Sequence, residues 1–77
     1  MKVFGRSAGV PDTLLFMDEV TFVAGPEQLR SLAHFFLSQA DKQESGTGRD
    51  HDHYSDSPGA IDGDHEVIVA DPKILPG

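Results

Sequence analysis

His51-Asp52-His53, followed by Asp56, is the place in this chain where residue types and spacing come nearest to a recognisable chemistry. On an extended strand, residues two apart face the same side, so both imidazoles would project together with their Cα atoms about 6.5–7 Å apart. That spacing can chelate one divalent ion such as zinc, with Asp56 as a third ligand and Asp62, Asp64, His65 or Glu66 available to complete the site. The same segment does not fit a calcium-binding EF-hand loop. Counted from Asp50, the sixth position is Ser55 where glycine is needed, and the twelfth is Ile61 where a bidentate glutamate is needed.

The second feature is charge. From Asp50 to Glu66 there are six acidic residues and no Lys or Arg, within a chain of 6 Lys+Arg against 13 Asp+Glu and a formal net charge of -7. Phosphate recognition needs a basic surface, so nucleic acid is excluded as a partner, and an anionic membrane would be repelled. An acidic surface suits a basic protein partner, because complementary fields raise the rate of encounter. Phe35 is the residue of the aromatic set that falls off the main apolar stripe of its helix, and it is expected at the flank or outside, where it covers the sheet edge or serves as an anchor for such a partner. The candidate partner-binding residues are therefore Phe35, Asp50, Asp52, Tyr54 and Asp56; the candidate metal ligands are His51, His53 and Asp56.

Catalysis has little to rest on. There is no cysteine to act as a nucleophile, no serine in a nucleophile-elbow pattern and no glycine-rich phosphate loop ahead of the helix. His53 with Asp56 is the nearest approach to an acid–base pair, in a chain too short to enclose a deep pocket around it. The expectation is a binding protein with no catalytic residues and no required cofactor.

The elements that must position these residues are few. From Pro26 to Ala40, Leu29, Leu32, Ala33, Phe36, Leu37 and Ala40 recur at helical spacing, which predicts one amphipathic helix with that stripe buried. Pro26 suits the first helical position and Glu27 meets the positive end of the helix dipole. Ser45-Gly46-Thr47-Gly48 should end the helix by Gly46. Ahead of it, residues 2–6 read as a short strand. Residues 14–24 read as a second strand with a break near Met17-Asp18-Glu19, its surer half being Glu19 to Ala24 with Val20 and Phe22 toward the helix. After it come a weak extended piece around His51 to Ser55 and a strong strand at Glu66 to Ala70, closed by Pro72. The order β-β-α-β-β implies an α+β fold: a two-layer sandwich with the helix across a mainly antiparallel sheet of three to four strands. Residues 1–77 are expected to make one small domain with a flexible polar segment at about 43–64. The start of the chain lacks a signal peptide's apolar run and no stretch is long and apolar enough to span a bilayer, so a cytoplasmic protein is expected.

Three stretches together resemble a family of small bacterial immunity proteins of polymorphic toxin systems, of the immunity protein 32 type. They are Glu19-Val20-Thr21-Phe22-Val23-Ala24-Gly25-Pro26-Glu27-Gln28-Leu29, Leu32-Ala33-His34-Phe35-Phe36-Leu37, and His51-Asp52-His53-Tyr54-Ser55-Asp56. The resemblance covers Glu19 to Asp56 together with the position of the last strand. It implies a cytoplasmic protein that binds and neutralises a cognate toxin, and the acidic segment makes a basic toxin the expected partner. Two readings stand beside it: a small metal-binding domain using His51 and His53, and a structural homodimer pairing through an open sheet face or the last strand.

Overall fold

Local signals set the helix. In the computed structural model, which describes residues 1–61 and 65–74, α1 runs from Pro26 to Ser45. Pro26 occupies the first turn, and the Leu29 amide donates to the Gly25 carbonyl at 3.0 Å. At the other end Gly46 takes φ 73°, the left-handed conformation that costs a residue without Cβ least. Its amide donates to the Gln43 carbonyl and that of Thr47 to the Lys42 carbonyl, a Schellman closure of two orphan acceptors.

The four strands are short, and they divide into two antiparallel ribbons. β1 (Phe4–Arg6) pairs with β2 (Leu14–Phe16), with Phe4 opposite Phe16 and their rings 4.9 Å apart. Gly5 has no side chain because Met17 lies over it where a Cβ would stand. β3 (His51–His53) pairs with β4 (Ile68–Ala70), His51 opposite Ala70, Asp52 opposite Val69 and His53 opposite Ile68. Two 3-10 turns, Tyr54–Asp56 and Pro72–Ile74, follow β3 and β4. The α+β class and the β-β-α-β-β order are as the sequence indicates. The strands pair two by two, so the sheet layer is split.

Two local expectations are corrected. Residues 19–24 form no strand despite their alternation, and Val20 and Phe22 remain about half exposed. They carry the chain from β2 to the helix, and residues 21–25 line an open cleft of about 600 Å³ with Leu32, Tyr54, Ile61, His65, Glu66 and Val67. Alternation gives a strand two faces but not a neighbour to pair with, and without a ladder the backbone stays irregular.

The helix buries a different face from the expected one. Leu32, Phe35 and Gln39 are the buried residues, with Gln28 and Ser31 half-buried beside them. Leu29, Ala33, Phe36, Leu37 and Ala40 are exposed. The core is Leu32, Phe35 and Tyr54, with Ala60, Val67 and Val69 packed against it. At about 100° per residue, the buried face is centred about 120° round the helix from the Leu29-Ala33-Phe36-Ala40 stripe. Phe35 is thus a core residue, only 3% exposed, and not a flanking anchor.

The two adjacent phenylalanines separate these faces experimentally. Phe35→Ala is expected to cost about 3–5 kcal/mol and to leave most of a chain this small unfolded, whereas Phe36→Ala should cost about 1 kcal/mol. Urea denaturation at low protein concentration reads both, and equal losses would place the core on the other face.

Candidate functional site

Tyr54 joins the helix to the second ribbon. Its phenolic oxygen accepts from Gln28 Nε2 at 2.9 Å and from the Ile61 amide at 3.0 Å, which fills both lone pairs. Its own proton must then go to Ser31 Oγ, 2.5 Å away, and the Ser31 hydroxyl donates onward to the Gly59 carbonyl at 2.9 Å. The Tyr54 backbone is held as firmly. Its amide donates to Val67, and its carbonyl accepts from the amide and hydroxyl of Ser57. The ring meets Phe35 edge-on at 5.6 Å. With 4% of its surface exposed, Tyr54 holds the fold together and offers a partner almost nothing.

Beyond this joint, strand alternation sorts β3. Asp52 and its cross-strand neighbour Val69 face the helix, and Asp52 pairs with Lys42 at 3.7 Å. His51, His53 and Ile68 face outward, the two imidazoles in edge contact with centroids 5.4 Å apart. The two histidines do share a face, as their spacing indicates. Among the described residues, however, no group of three or more His, Asp or Glu side chains converges in a way that could hold a metal ion. Asp56 does not close a site with His51 and His53, and the further candidates Asp62 and Asp64 lie outside the described residues.

His53 is engaged by Glu66, its Nδ1 3.5 Å from Glu66 Oε2. The Glu66 carboxylate also accepts from the Ser55 hydroxyl at 2.7 Å, the Ser55 amide at 3.3 Å and its neighbour Val67's amide at 3.2 Å. Chiefly through the Ser55 hydroxyl, and further through the Ser55 amide and His53, its pKa is held below the ordinary value. The outer face of the ribbon thus combines two imidazoles, the apolar Ile68 and a fixed carboxylate. Asp50 and Asp56 are exposed at the two ends of the β3 segment. Of the five candidate contact residues, only these two present freely accessible side chains. Asp52 is turned inward to Lys42, and Phe35 and Tyr54 are in the core.

The family model described as Immunity protein 32 matches residues 19–72. The chain belongs to the Immunity protein 32 family. The match runs past Asp56 to include β4 and therefore the whole joint between helix and second ribbon; β1 and β2 precede it. No curated protein and no solved structure matches the chain at a significant level. Among the described residues, no helix of this family member is long and apolar enough to cross a membrane.

Gln28 and Ser31 were not among the expected site residues, and Glu66 was expected only as a further metal ligand. A signal for both exists: Gln28, Leu32, Phe35 and Gln39 repeat at the same four-three-four spacing as the more apolar stripe, and Ser31 lies on that face, three residues after Gln28 and four before Phe35. A lone tyrosine entering a core needs a partner for its hydroxyl, and that face supplies one.

Two outcomes follow. Tyr54→Phe should cost about 2 kcal/mol by leaving the Ile61 amide and Gln28 without an acceptor, and combined with Ser31→Ala the loss should be less than additive, as chemical denaturation of the double-mutant cycle would show. Because the pKa of Glu66 is depressed on folding, its contribution is present above the ordinary carboxylate value and is lost as pH falls through the folded value. Glu66→Gln is therefore expected to flatten the acid limb of stability below about pH 5, a change absent at neutral pH in the titration slope.

Proposed function

We propose that this member of the Immunity protein 32 family neutralises a cognate bacterial toxin in the cytoplasm by binding it, with no catalytic step of its own. The family match over residues 19–72 carries the reading. The contact surface is the second ribbon, with His51, His53 and Ile68 on its outer face and Asp50 and Asp56 exposed at the two ends of the β3 segment. With a chain charge of -7, the partner is basic, and long-range attraction brings the two together before short-range contacts form. The half-exposed Ile68 supplies apolar contact at the centre of this face, and the ordered ribbon keeps the loss of conformational freedom on binding low.

The immunity reading predicts a toxin domain encoded in a neighbouring gene, and the test is co-expression with that domain, followed by binding kinetics on the purified pair. The chain should restore growth, and Asp50→Asn with Asp56→Asn should slow association about three- to tenfold at low salt and flatten its salt dependence. Failure to restore growth or to bind removes the immunity reading. Restored growth with unchanged kinetics moves the interface away from these carboxylates.

A further inference from the structure

The buried face of α1 leaves unexplained the stripe on which the helix is most apolar. Leu29, Ala33, Phe36 and Ala40 are all exposed, at intervals of four, three and four residues, and Gln43 continues the series. Leu37 beside them is 65% exposed and Phe36 42%. This alternation is the seam of a two-stranded helical pair, with small alanines at one position and Leu29 and Phe36 at the other. We propose that this face binds a second copy of the same chain, helix against helix and antiparallel, to form a symmetric homodimer.

The choice of a second copy rests on how the flanking residues are arranged. Arg30, Leu37 and Glu44 lie seven residues apart along one edge of the seam, all exposed. In an antiparallel pair centred on Leu37, that edge meets itself. Arg30 of each chain faces Glu44 of the other, and the two Leu37 side chains meet on the two-fold axis. Among the described residues neither Arg30 nor Glu44 has an ion pair within its own chain, so both charges are available. In the same register Phe36 lies about 3 Å along the axis from Ala40 of the second copy and Ala33 about 3 Å from Gln43, so each large side chain is next to a small one. A parallel pair would instead set that edge against the Leu32 and Gln39 edge of the second copy, which the chain's own core already occupies. The contact extends about 21 Å along the helix, from Leu29 to Gln43. It leaves the outer face of the second ribbon uncovered, because that ribbon packs on the other helix face.

Sedimentation velocity from low to high micromolar concentration, on the whole chain, tests the pairing. The expected result is a mass rising to twice that of one chain. Leu37→Asp, which puts like charges on the axis at an exposed position, should weaken the pair at least about tenfold without changing the fold. Arg30→Glu should also weaken it, and Arg30→Glu with Glu44→Arg should restore it. Because the chain has no cysteine, Leu37→Cys gives a single thiol that a short bismaleimide should join into a dimer. Ala33→Cys, displaced from its symmetry mate by about 12 Å along the axis, should react far less. A monomer at all concentrations, a mass indifferent to Leu37→Asp, failure of the charge swap to restore pairing, or equal crosslinking at the two positions would each overturn the proposal. If the chain is monomeric and Leu37→Asp instead abolishes toxin binding, the face belongs to the toxin.

Discussion

The hydroxyl of Tyr54 must be satisfied where the helix meets the second ribbon, and much of the structure follows from that requirement. Burying a phenol without partners would cost more than the ring contributes by packing, so each lone pair and the proton need a counterpart. Gln28 and Ser31 supply two from the helix, the Ile61 amide supplies the third, and Ser31 passes the chain of donors to Gly59. These bonds fix the rotation of the helix about its axis. Once Gln28 and Ser31 must face inward, Phe35 and Gln39 come with them, and the more apolar stripe turns away.

The parts legible in the sequence were those written into neighbouring residues. Pro26 and Gly46 mark the helix ends because their backbone preferences act locally. The order of elements and the placing of His51 with His53 on one face were legible for the same reason. What depended on distant partners was not. The segment from Glu19 to Ala24 alternates like a strand but has no ladder. Phe35 looked peripheral because counting apolar residues favours Leu29, Phe36 and Ala40, whereas the fold turned on one hydroxyl located 19 positions later in the chain than Phe35. The histidine pair kept its spacing and has no third ligand among the described residues, since Asp56 closes the 3-10 turn after β3 and Glu66 is committed to Ser55 and His53.

The helix therefore serves two surfaces. One is closed by the chain itself, with Gln28 and Ser31 hydrogen-bonded to Tyr54 across it. The other is apolar and edged by charges that complement themselves under a two-fold rotation. A helix with a single purpose would show its hydrophobic residues on the side it buries. Here the richer face is the outward one, and the ribbon that carries Asp50, His51, His53 and Asp56 is fixed to the opposite flank. Association through one face and recognition of a charged partner through the other are thus geometrically compatible on a chain with only three buried hydrophobic side chains among the described residues.

Tyr54 is also the sole tyrosine of a chain with no tryptophan. Its near-ultraviolet absorption and emission consequently come from one ring at one structural joint, undiluted by any other strongly absorbing side chain. Light absorbed at the phenol reports on the Ser31 hydrogen bond and the Phe35 edge contact and on nothing in the first ribbon. The molecule carries a built-in optical probe of whether its helix is docked, and loosening elsewhere is spectroscopically silent to it.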